Sequence, residues 1–98
     1  MDNAVILPLL EADLDMLDPP TERVLQLTQL IGAAEELITQ EGVTLNETSL
    51  ADIQIVVMYA AWLYRKRNAE NAPMPRMLRY ALNNRILHQK ASEADVIE

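Results

Sequence analysis

Between Ile53 and Tyr64 the chain strings together twelve residues of which Gln54 alone is polar. Such a run cannot lie with one whole face in water, and it falls well short of the roughly 18 apolar residues a membrane span needs. Whatever the 98 residues fold into must therefore cover this segment on more than one side. The residues before it point to a helix. Ser49-Leu50-Ala51-Asp52 matches a capping box, in which a hydroxyl and a carboxylate three residues on satisfy each other's backbone amides. The helix opened there is predicted to run to about Asn68. Ile53, Val56, Val57, Ala60 and Leu63 fall on one face, and Ile55, Met58, Tyr59 and Trp62 on the other. A chain this small is expected to struggle to shield both faces, so further copies are expected to gather around the helix.

The rest of the sequence agrees with helices. Phenylalanine is absent, glycine occurs twice, and no Asn-Gly, Asp-Gly or Gly-Gly pair marks a tight hairpin. The fold class read from this is all-α, a small bundle of about four helices around the central apolar one, in a single domain spanning residues 1–98. Residues 1–18 read as a short opening helix and acidic segment. The helix is placed at Ile6–Leu17, opening at Pro8 with Leu9, Leu10, Leu14 and Leu17 inward. Asp18-Pro19-Pro20-Thr21 stops it, and either Asp18 or Thr21 is expected to cap the next helix. From Glu22 to about Glu41, Val24, Leu27, Leu30, Ile31, Ala34, Leu37 and Ile38 recur at helical steps, closed by Gly42 at the left-handed position. Gly32-Ala33-Ala34 are small enough for a neighbouring helix to approach. A loop at Ala69–Met74 leads to a fourth helix from Pro75 to about Lys90, with Leu78, Ala81, Leu82 and Ile86 inward. Residues 91–98 read as a flexible acidic tail.

Charge divides the chain. Met1 to Tyr64 carries eleven acids against Arg23 alone, whereas residues 65–90 carry Arg65, Lys66, Arg67, Arg76, Arg79, Arg85 and Lys90 against Glu70. Two kinds of partner suit this division. A cationic segment gains affinity for nucleic acid by releasing counterions from phosphates. Unlike patches on one molecule favour head-to-tail contact with a second copy, which closes into a ring when the rotation allows. The plainer alternative for Arg65-Lys66-Arg67 is that they complement the C-terminal end of their helix and stay solvated.

Catalysis finds little material, and the chain reads as a non-enzyme. His88 is the only histidine, cysteine is absent, and no serine sits in a nucleophile-elbow setting. Counting a calcium loop from Asp13 puts Leu17 at a ligand position and Val24 where the closing glutamate belongs, so that motif fails. Gly32 and Gly42 form no phosphate-cradling loop, and no cofactor is expected. Tyr59, Trp62, Tyr64 and Tyr80 suit packing or a protein interface better than a stacking platform for single-stranded nucleic acid. The acidic start and the interruption at Pro8 give no readable export signal, so a soluble, unexported protein without membrane contact is expected.

The stretch Ala51–Leu87 resembles the head-tail connector (head-completion adaptor) family of tailed bacteriophages. The likeness rests on a short acidic opening helix, a long helix ending at Gly42, and the very apolar helix bearing Tyr59-Ala60-Ala61-Trp62-Leu63-Tyr64-Arg65. A loop and Met74-Pro75-Arg76-Met77-Leu78-Arg79-Tyr80-Ala81-Leu82 follow. The resemblance implies a structural virion protein assembled in the host cytoplasm, a homo-oligomeric ring below the portal that extends the DNA channel. Its implied partners are other copies, the portal protein, the next head-completion or tail protein, and genomic DNA passing without sequence specificity. It also implies that Trp62 and Tyr64 are packed aromatics of the central helix, and that Pro75, Leu78 and Leu82 belong to the closing helix. Together with the charge pattern, this marks Trp62, Tyr64, Arg65, Lys66, Arg67, Arg76, Arg79 and Arg85 as interface or DNA-facing. The alternative is a small helical nucleic-acid-binding regulator using segment 65–90.

Overall fold

The computed structural model describes residues 1–67, 69 and 72–96, with side chains through Ser92. Its elements are four helices: α1 (Asn3–Asp13), α2 (Thr21–Gln40), α3 (Leu50–Arg67) and α4 (Arg76–Val96). Among the described residues there is no strand. Helices α1, α2 and α3 pack on one another, and α4 lies against α3.

Helix α1 opens earlier than the leucine spacing predicts. Asp2 caps it, its Oδ1 accepting from the Ala4 N–H at 2.9 Å. Pro8 sits inside the helix rather than at its start. The bond it forfeits is that to the Ala4 carbonyl, and both residues are exposed, where water can serve. The buried residues are Ile6 and Leu10, while Leu9 is largely exposed and Leu17 is 96% exposed. The reason Leu17 fails to turn inward is Asp15. It adopts φ 57° and ends the helix in a Schellman motif, with Asp15 N–H bonded to Ala12 O and Met16 N–H to Glu11 O. Aspartate tolerates the left-handed region, and Asp18 (φ 51°) uses it again. Neither Asp18 nor Thr21 caps α2; Pro20 occupies the cap and its carbonyl takes the first bonds.

Helix α2 ends as its glycine predicts. Gly42 has φ 106°, Gly42 N–H bonds Thr39 O and Val43 N–H bonds Ile38 O. Leu27, Leu30, Ile31, Ala34 and Ile38 are buried, with Val24 and Leu37 partly so. A Cβ on Gly32 would meet nothing within 4 Å, so the close approach its size allows is not used there, whereas Ala34 of the same small stretch is buried in the core.

Helix α3 is the centre. Residues of both its apolar faces, Ile53, Val56, Val57 and Ala60 on one and Ile55 and Tyr59 on the other, are buried in a core shared with Ile6, Leu10, α2 and Leu78 and Leu82 of α4. One chain therefore covers the helix that the sequence suggests would need further copies. The cover works because α1 and α2 take one side and α4 the other. Helix α4 continues to Val96, beyond the tail expected from Ala91, because nothing after Lys90 stops it and alanine and glutamate propagate helices. Ile97 and Glu98 of that tail, Asn68 at the expected end of α3, and Glu70 and Asn71 of the expected loop lie outside the described residues.

Candidate functional site

The basic residues of segment 65–90 do not form one cationic face. Arg85 points inward. Its Nε donates to Asp52 Oδ1 at 2.6 Å and its Nη2 to Asp52 Oδ2 at 3.1 Å, a two-point grip on a carboxylate that is fully buried. Asp52 Oδ2 also accepts the Asn46 N–H at 2.8 Å. Arg85 Nη2 donates to Thr44 O, the Thr44 N–H donates to Gln89 Oε1, and Gln89 Nε2 donates to Gly42 O. This lattice ties α4 to the turn between α2 and α3. The bond to Asp52 holds the Arg85 guanidinium above its ordinary pKa. The capping box is thus half made: the Ser49 hydroxyl accepts from the Asp52 N–H at 3.3 Å, but the carboxylate reaches past Ser49 to Asn46 and Arg85.

Arg79 reaches the end of α2 at the surface. Its Nη1 donates to Glu41 Oε1 at 2.7 Å, and that bond raises its pKa. Beside the pair, burial pushes the Tyr59 hydroxyl up; Glu41 adds to the shift and Arg79 opposes it. Arg65 reaches the end of α1, with Nη2 3.4 Å from Asp13 Oδ2 and 3.2 Å from the Asp13 carbonyl. Asp52 and Arg65 are thirteen residues apart on α3, about 20 Å along its axis, so Arg85 and Arg65 serve opposite ends of that helix.

Three of the four aromatics make contacts within the chain. Trp62 Nε1–H donates to the Ala72 carbonyl at 3.0 Å, and its ring meets Tyr59 edge-on at 5.5 Å. Lys66 Nζ lies 4.9 Å from the Trp62 ring centre, a cation–π contact. The Tyr64 hydroxyl accepts from Arg23 Nη1 at 2.6 Å. Trp62 therefore pins the segment entering α4, and Tyr64 ties α3 to the start of α2. Arg67 and Arg76 are exposed and have no hydrogen bond or ion pair among the described residues.

The sequence marked the cations but not the carboxylates that take them. For Asp52 a signal existed: at helical spacing it shares a face with Val56 and Tyr59, both buried. Asp13 and Glu41 sit at helix ends and give no such sign.

Among the exposed apolar residues, which include Val5, Leu9, Leu17, Leu25 and Leu50, three lie together on the outer side of α4. Met77, Tyr80 and Leu87, on the side away from Leu78 and Leu82, are 75%, 60% and 65% exposed. No group of three or more His, Cys, Asp or Glu among the described residues is placed to hold a metal ion. Among the described residues, no helix is long and apolar enough to cross a membrane. Compared with protein-family models, with curated proteins and with solved structures, the chain matches none.

Proposed function

We propose that this chain is a head-tail connector of a tailed bacteriophage, a structural virion protein whose copies ring the underside of the portal and join the head to the next component. The observation that carries the reading is the outer side of α4, where Met77, Tyr80 and Leu87 stand in water together on one helix while Leu78 and Leu82 of the same helix are buried. Exposed apolar side chains gathered on one side of a helix are what an assembling protein keeps for its neighbours. The order of elements in Ala51–Leu87, with an apolar central helix, a pinned connection and a closing helix, agrees with what the resemblance implies. The pairing of Arg65, Arg79 and Arg85 with Asp13, Glu41 and Asp52 takes support from the nucleic-acid-binding alternative, since phosphates would have to displace carboxylates already in place.

The test is to mix the purified chain with portal particles and image the product by negative stain, with its mass measured in parallel. A ring of added density under the portal is expected. No association with portal particles, together with salt-sensitive binding of duplex DNA, would reject the reading.

A further inference from the structure

The chain carries an apolar stripe edged by cations and, elsewhere, a groove edged by acids. The stripe is the outer side of α4. Arg76 and Lys90 are exposed beside Tyr80 and Leu87 and, fourteen residues apart, share one flank of the helix. From Arg76 to Ser92 the sequence contains no acid.

The groove, about 670 Å³, runs between the second half of α2 and the turn after it, and Gly32, Glu36, Thr39, Val43 and Glu47 line it. At Gly32 even a methyl group would meet nothing within 4 Å. The amino group of Met1, 3.3 Å from Glu35 and 3.5 Å from Glu47, offsets part of the acidity and leaves Glu36 uncompensated. A shallow groove with apolar patches and an acidic rim accepts an amphipathic helix with a cationic edge.

The geometry points to a self-association in which the outer side of α4 of one copy seats in the α2 groove of the next. The two surfaces differ, so the contact is heterologous, each copy offers one of each, and assembly proceeds to a ring or an open chain. The other exposed apolar residues have acidic neighbours whose charge the groove repels: Val5 and Leu9 lie between Asp2 and Asp13, Leu17 between Asp15 and Asp18, Leu25 one turn from Glu22, and Leu50 three residues from Glu47. The proposal rests on the connector reading for its biological setting, but its surfaces are tested without the portal.

Two variants decide it. Tyr80→Glu/Leu87→Glu spoils the stripe, and Glu36→Arg/Glu47→Arg spoils the groove; all four side chains are exposed, and circular dichroism checks the fold. In sedimentation velocity the parent chain is expected to form species above the monomer. Each variant alone loses them, and an equal mixture of the two gives a one-to-one dimer and nothing larger, because only one good stripe and one good groove remain. A parent chain that stays monomeric to millimolar concentration overturns the proposal. So does either variant that assembles like the parent, or a mixture without the dimer. Rings on portal particles that survive the stripe variant would sink these surfaces and leave the connector reading standing. Assembly through these surfaces without portal binding would do the reverse.

Discussion

At the scale of single residues, backbone conformation and burial decide more than side-chain contacts. The two glycines make the point by opposite outcomes. Both have open space where a Cβ would go, yet Gly42 holds φ 106° and Gly32 is an ordinary helical residue. Gly42→Ala is expected to cost about 1–2 kcal/mol from the left-handed conformation alone. Gly32→Ala is expected to gain about 0.5–1 kcal/mol by restraining the unfolded chain. Urea unfolding of both variants reads the difference. Tyr59 supplies a pH dependence. Its folded pKa lies above the ordinary value of 10.0, so the folded state holds the phenolic proton more tightly than the unfolded one. Its contribution is whole below pH 10.0 and is lost as pH rises toward the folded value. Tyr59→Phe should flatten the alkaline fall in melting temperature, and an unchanged slope would count against that burial.

At the scale of elements, α4 is held by a few specific ties beyond Leu78 and Leu82. Asp52→Ala leaves the Arg85 guanidinium without its carboxylate. A cost of about 3 kcal/mol is expected, the low end for a broken buried pair because Arg85 keeps 21% of its side-chain surface exposed. Replacing Asp52 and Arg85 together with apolar residues of similar size should recover most of the loss, and a double-mutant cycle measures it. Trp62→Phe keeps the packing on Tyr59 but drops the bond to Ala72, for about 1 kcal/mol, whereas Trp62→Ala should cost about 3 kcal/mol. Hydrogen exchange should then rise first at the start of α4. These elements were unevenly legible in the sequence. Helices α2 and α3 declared themselves through regular apolar spacing and through Gly42. The start of α1 was hidden because Pro8 reads as a beginning, and its end because Asp15 does the work usually given to glycine. The roles of Arg79 and Arg85 were illegible because their partners, Glu41 and Asp52, lie 38 and 33 residues away. Nothing local announces a pair of that separation.

At the scale of the whole molecule, the division of charge along the chain is largely undone by folding. Acids of α1, α2 and the start of α3 come to lie against arginines of α3 and α4. The net charge of −7 then governs the exterior, and affinity for duplex DNA at physiological salt should be weak or undetectable by fluorescence anisotropy. Tight binding with a steep salt slope would mean that the ion pairs open readily. The form is elongated, 52 × 30 × 18 Å.

Because Asp52 is fully buried and its counter-charge arrives from Arg85, 33 residues later in the chain, the first three helices by themselves would enclose an anion with nothing to neutralise it. They amount to a box whose lid carries the lock, and closure of the fold waits on the last helix.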